Sequence, residues 1–251
     1  ALTDQQILQN VDSLDLDGDG ISGVPNFITP PPYFEQKWFH QPLNGKIIGR
    51  FGKKAAAIDL LQQTVGAYNQ DMGVTSTFEP IDPMSQLSTD PEVSDQTIRD
   101  VVFYLRTLKA PIPRSEENSQ MLQGKVLFTE IECSSCHIPE WTTPDSDIEA
   151  LSNKTFYPYT DLLLHDMGSG LDDGATEGSA ETYEWRTPPL WGLGLSPNSQ
   201  GGSFFLMHDG RARSIEEAIV LHGGEAENSK NRFTALSGAD KEALINFLKS
   251  L

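Results

Sequence analysis

Cys133-Ser134-Ser135-Cys136-His137 is the stretch on which the reading of this chain turns. Its cysteines are the only two among 251 residues, and a histidine follows the second directly. This is the spacing at which a c-type haem is attached. Each thiol adds across one haem vinyl group, and the histidine lies under the iron as proximal ligand through a neutral imidazole nitrogen. A redox-active Cys-x-x-Cys pair, half of a zinc site and chance are the competing readings. A zinc site needs a second pair of ligands, and no further cysteines exist to supply it. A thioredoxin-like pair needs a βαβ context that the flanking residues lack. The motif predicts one covalent haem c on Cys133 and Cys136, with His137 on the iron.

The length suits one large or two small domains. Apolar residues make up only 37%, with 21 Gly and 16 Pro, which predicts short helices joined by long ordered loops. A formal charge of -18 argues against nucleic acid and anionic membranes as partners. It fits an acidic surface that docks a basic redox partner protein, and equally a surface that serves solubility. No apolar run is long enough to span a bilayer. The first residue is Ala1, not Met, which leads us to expect that a signal peptide or a larger region was removed upstream. Haem attachment to this motif happens outside the bacterial cytoplasm, so the periplasm is the expected location.

Along the chain, Thr3 to Gln6 reads as a capping box opening a short helix through Leu8 and Val11. Pro30, Pro31 and Pro32 exclude regular structure. A helix is expected over 54–69, with Ala56, Leu60, Leu61 and Val65 on one face. Ser94 caps another, with an apolar stripe of Ile98, Val101, Val102, Leu105 and Leu108. Ala110 to Pro113 reads as a linker, and a second unit is expected from Ser115. Its first helix runs through Leu122, Val126 and Phe128 into the haem motif. A Gly/Pro-rich region follows over 139–213. Ser214 to Glu217 forms a second capping box, in a helix that ends at Gly223-Gly224. Ser237 caps the last helix, where Leu244, Ile245, Leu248 and Leu251 share a face. The expected fold is mainly α and cytochrome-c-like, in two units with long loops. Residues 1–113 form a unit without a haem motif, and 114–251 a c-type cytochrome domain.

Asp15-Leu16-Asp17-Gly18-Asp19-Gly20-Ile21 matches the first half of an EF-hand loop. Asp15, Asp17 and Asp19 take positions one, three and five, Gly20 turns the chain, and Ile21 offers its carbonyl at seven. Asn26 stands where a bidentate glutamate is usual, and Pro25 blocks an exit helix, so weak or structural calcium binding is expected. The alternative is an acidic, solvated turn.

Three longer stretches carry a family resemblance. They are Tyr157 to Gly168 (YPYTDLLLHDMG), Glu184 to Gly192 (EWRTPPLWG) and His208 to Arg213 (HDGRAR). With Cys133 to His137, Asp17 to Gly23 and Gly49 to Gly52, they resemble the di-haem oxidoreductases of the thiol oxidoreductase-like type. That family is similar to bacterial di-haem cytochrome c peroxidases. The resemblance implies a second Cys-x-x-Cys-His upstream, which this chain has no cysteines to supply. It therefore implies either the C-terminal portion of a di-haem protein, completed by an upstream haem domain, or a member with one haem.

The resemblance also implies a sixth iron ligand in the helix after the His208-Asp209-Gly210 turn, about a dozen residues beyond the glycine. His222 occupies that place, with histidine where the peroxidases carry methionine. Met207 is the second candidate, and Met167 and His165 follow. A solvated histidine at a helix end is the other reading of His222, and a turn-stabilising hydrogen bond that of His208. Arg186, Arg211 and Arg213 are candidates to meet the haem propionates, with surface ion pairs as the alternative. Trp185 and Trp191 either pack on the macrocycle or are ordinary core aromatics.

The leading functional expectation is a periplasmic electron-transfer protein, with reduced thiols a substrate by family name only. A peroxidase-type enzyme with an exchangeable sixth ligand is the second. A calcium-stabilised binding module without haem is the third. Two histidines on the iron leave no open site, whereas a methionine would raise the reduction potential.

Overall fold

A computed structural model describes residues 2–114 and 118–251. The expected start of the second unit, Ser115, lies outside the described residues. The chain is 36% helix and 10% strand, with several small sheets, and this corrects the expectation of a mainly α fold. The reason lies in the prolines and glycines. Proline has no N–H to give a helix, and glycine loses the most backbone freedom on entering one. Backbone groups of the long connecting stretches are paired in short antiparallel ladders instead. β1 (Phe27–Ile28) pairs with β2 (Ile47–Ile48), β3 (Trp141–Thr142) with β4 (Thr155–Phe156), and β5 (Leu164–Asp166) with β6 (Glu184–Arg186).

The helices begin where side-chain caps predict. Thr3 and Gln6 form a reciprocal capping box at α1 (Asp4–Leu8). Ser94, Ser214 and Ser237 each accept an amide hydrogen bond at the starts of α3 (Asp95–Thr107), α6 (Ile215–Val220) and α8 (Gly238–Ser250). The helix expected over 54–69 starts later. α2 (Leu60–Gly66) is capped by Asp59, whose side chain accepts from the Gln62 amide, and a π-helical turn (Ala67–Asp71) extends it. Residues before it are pulled elsewhere: Ala55 is left-handed at φ 53°, Phe51 pairs with Ala57, and the Lys54 carbonyl accepts from Asn26 at 2.6 Å. The α3 stripe is largely unburied. Ile98 is buried, but Leu105 and Leu108 are exposed.

The largest core cluster joins α4 (Ser119–Glu130), α6, α7 (Glu227–Ala235) and α8 through Phe128, Ile215, Phe233, Leu244, Phe247 and Leu248. A second joins Leu2, Ile7 and Ile48 to Leu163, with Trp141 and Phe156 packed against it. Asp4 and Arg50 form an ion pair under that cluster, both almost fully buried. Gly124 is where α4 and α8 cross. A Cβ there would sit 2.2 Å from the Ala243 carbonyl oxygen and 2.6 Å from the Phe247 Cβ. In an exposed helix, Gly→Ala stabilises by about 1 kcal/mol. Here the sign reverses: Gly124→Ala is expected to lower unfolding free energy by about 1–3 kcal/mol through overpacking. Urea denaturation reads this directly, and an increase in stability would contradict the close crossing.

Candidate functional site

The motif sits on a turn made by the end of α4. After the helix, Glu132 takes a left-handed conformation at φ 68°, which reverses the chain into a 3-10 turn at Cys133–Ser135. The His137 amide donates to the Cys133 carbonyl at 3.0 Å, so both thiols and the imidazole are carried by one tight turn. The returning segment locks it. The Asp161 amide donates to the Cys136 carbonyl at 3.0 Å and the Thr160 amide to the Ile138 carbonyl at 3.0 Å.

The turn faces a cavity of about 300 Å³ with a predominantly apolar wall. Phe128, Leu171, Leu190, Leu193, Ile215, Ile219 and Leu248 form much of that wall. Cys133, Cys136 and His137 open onto it from one element and His222, just beyond α6, from another. Both imidazoles are oriented in the same way. His137 Nδ1 lies 3.0 Å from the Tyr159 carbonyl oxygen, and His222 Nδ1 lies 2.7 Å from that of Ala218. A carbonyl only accepts, so each Nδ1 carries the proton and each Nε2 keeps its lone pair. Burial pushes the His137 pKa down to about 4, with His222 adding as a neighbouring like charge. Burial lowers His222 as well. Two neutral imidazoles thus present metal-ligating nitrogens at one apolar cavity.

The thiols are not those of a reactive redox pair. Burial raises Cys133 to about 12, and it raises Cys136 too, whereas reactive cysteines have depressed values. Among the described residues, the cluster spaced for a metal ion at this turn is Cys136, Asp161 and His165, without Cys133.

The cavity wall also includes Arg186, Met207, Met167, His165, His208, Trp185 and Ile21. Arg186 spends Nε on the Gly52 carbonyl at 2.9 Å and Nη1 on that of Thr187 at 3.1 Å. No carboxylate pairs with it among the described residues. Arg211 is placed otherwise. It is absent from the wall, paired with Asp209 at 2.6 Å and bonded to the Gly170 carbonyl at 2.9 Å. Arg213 lies over the Phe205 ring at 4.0 Å, and Trp191 packs on Phe156 at 5.9 Å. Trp185 stacks on His208 at 3.5 Å.

In the acidic loop, the carboxylates of Asp12, Asp15 and Asp17 gather within 4.8 Å of one another. Asp19 instead turns Oδ1 onto the Ile21 amide at 2.7 Å. Asp12, which the EF-hand spacing does not include, caps the Leu16 amide at 2.7 Å.

Glu225 was not signalled by any motif. It stands just after Gly224, whose backbone passes so close to β5 that a Cβ would lie 2.1 Å from the Asp166 carbonyl oxygen. The Glu225 carboxylate accepts from Ser22 Oγ at 2.7 Å, from the Ser22 and Asp166 amides at 3.0 and 3.1 Å, and from His165 Nδ1 at 2.6 Å. Burial alone would raise its pKa, but these donors outweigh it and hold the carboxyl at about 2.

A lowered folded-state pKa means that the stabilisation is complete above the ordinary value of 4.5 and is lost as pH falls through about 2. After allowance for solvent screening, roughly 2 kcal/mol should disappear across that window. Denaturant titrations from pH 5 to 2 should show a steeper loss for the wild type than for Glu225→Gln. Parallel curves would disprove the linkage.

A model of the family described as "Di-haem oxidoreductase, putative peroxidase" matches residues 81–251. No curated protein is significantly similar to the chain in sequence. Among solved structures, hydrazine synthase of Kuenenia stuttgartiensis is similar, at 17% identity and a TM-score of 0.39, over 68% of this chain. The chain spans 59% of the length of that structure. The family match takes in the Cys133 to His137 motif, His222 and the three longer stretches quoted above, well over half of the residues, and the chain belongs to the di-haem oxidoreductase family.

Proposed function

We propose that the protein is a periplasmic c-type cytochrome of this family that transfers electrons. One haem would be held by Cys133 and Cys136 through its vinyl groups and by His137 and His222 at its iron, within residues 114–251. The observation that carries the reading is the matched pair of imidazoles. Each is tied through Nδ1 to a backbone carbonyl, which leaves the lone pair on Nε2, and both rings line the cavity that both thiols line. A c-type haem suits that chemistry, because it takes apolar walls, at least one nitrogen ligand for its iron and two sulfurs to meet its vinyl groups.

Bound haem supplies reversible one-electron transfer at its iron. The protein's own groups decide what else can happen there. The hydrogen bonds to Tyr159 and Ala218 fix the tautomer and the plane of each ring, as outer partners of ligating histidines do. With both imidazoles on the iron, no ligand position would be left for peroxide. Arg186, half-buried in the cavity wall and in no direct ion pair among the described residues, is suited to meet a propionate. The two cysteines suffice for one attachment. The second haem of the family's name would then come from an upstream haem domain or a redox partner protein. The family's description also favours a second reading, peroxidase-type chemistry at a position that His222 vacates.

The visible spectrum of periplasmically matured protein separates the two. A low-spin c-type spectrum without a methionine–iron band is expected, and His222→Ala should convert it to high spin. An unchanged low-spin spectrum in the variant would exclude His222 and turn attention to Met207. A high-spin wild type would favour the peroxidase reading.

The loop Asp15–Ile21 is proposed to hold calcium as a structural ion, through Asp15, Asp17, Asp19 and the Ile21 carbonyl, with Asp12 adjoining. At a hundredfold excess over Kd, calcium should stabilise folding by about 2.7 kcal/mol. Asp17→Asn should remove most of that gain. Identical melting in calcium and in chelator would rule the ion out.

A further inference from the structure

His165 is buried, and each of its ring nitrogens faces a carboxylate. Nε2 lies 2.8 Å from Asp161 Oδ2 and Nδ1 lies 2.6 Å from Glu225 Oε2. A neutral imidazole has one N–H, so one of these contacts would set a lone pair against a carboxylate oxygen. Both contacts are favourable only for the imidazolium. The Cys136 sulfur lies 3.6 Å from the same Nδ1. Cys136, Asp161 and His165 are also spaced as metal ligands would be. Ion pairing already accounts for that spacing, because both nitrogens are committed.

The groups that face this imidazole come from five elements. Asp161 lies ahead of β5, Glu225 follows Gly224, and Cys136 is on the motif turn. Arg186 on β6 acts on Asp161. Across a second cavity of about 230 Å³ stand Asp12, Asp17 and Asp19 of the acidic loop. Among the nearest groups, two carboxylates are balanced by two cations only while His165 carries its proton. Asp161 and Glu225, one against each ring nitrogen, favour the protonated ring, and they do so whether Cys136 is a thiol or a thioether.

We propose that His165 is a positioning residue of the haem site: its ion-paired imidazolium fixes Cys136 and the motif turn, and its buried positive charge raises the reduction potential of the iron. The proposal rests on the haem reading above. Its physical basis is that reduction removes one positive charge from the iron, so a fixed cation in a low-dielectric wall favours the reduced form. The carboxylates pull the other way, and His165 offsets them at the cavity edge.

The test is a potentiometric titration at pH 7 of haem-loaded wild type, His165→Gln and His165→Lys. The Gln variant keeps a hydrogen-bonding group and loses the charge. At a fixed potential its ratio of reduced to oxidised protein should fall at least tenfold, which is about 59 mV for one electron. The Lys variant retains the charge and should stay near the wild type, which a purely structural role would not require. If the Gln variant does not fold, the Lys variant still decides: a potential near wild type supports the proposal, and a tenfold fall overturns it. Equal shifts in both variants, or none in Gln, would overturn it alone. Wild type without covalent haem overturns it together with the haem reading.

Discussion

A charge cannot be buried without partners, and Asp161, His165 and Glu225 show what that requirement does to this chain. An unpaired carboxylate or imidazolium in an apolar interior would cost several kcal/mol, so the three must meet wherever they are buried. Their meeting joins segments that are far apart in sequence. Asp161 is bonded through its backbone to the haem-motif turn, His165 lies on β5, and Glu225 follows the turn that begins just after His222. Ser22 brings in the end of the acidic loop. The motif turn, β5 and the turn after His222, all bordering the cavity, are therefore held by one network.

The same network relates the two candidate cofactor regions. Ile21 and His165 border both the large apolar cavity and the smaller one under the acidic loop. Ser22 and Glu225 link the loop to the His165 side of the large cavity by direct hydrogen bonds. Polar networks of this kind are costly when half satisfied and rigid when complete. Here Glu225 has donors from the loop, from β5 and from the imidazole.

Helix starts were legible because a cap is a local event: Thr3, Ser94, Ser214 and Ser237 need only a neighbour three residues on. Helix extents were less so. The stretch before Leu60 has a helical apolar pattern, yet Asn26 claims the Lys54 carbonyl and Phe51 claims Ala57. A periodicity argument cannot see partners that arrive from elsewhere in the fold. The small ladders that displace the mainly α expectation have the same origin. Each is two or three residues long, too short to leave an alternation in sequence.

What the sequence determined by itself is the grouping of two thiols and an imidazole on one turn. Cys133, Cys136 and His137 lie within five residues, so their relation is set by one turn of backbone. The second imidazole at the cavity was decided by tertiary structure. His222 is 85 positions from His137, and only the packing of α4, α6 and α8 brings both to one cavity. Arg186 and Arg211 look alike in sequence, but Asp209 stands two residues from Arg211 and pairs with it. Arg186 sits on β6 beside the wall. Glu225 carried no motif, because its partners come from positions 22, 165 and 166. Short-range geometry is encoded in the order of residues, whereas burial and charge pairing depend on which distant segments share the same few ångströms.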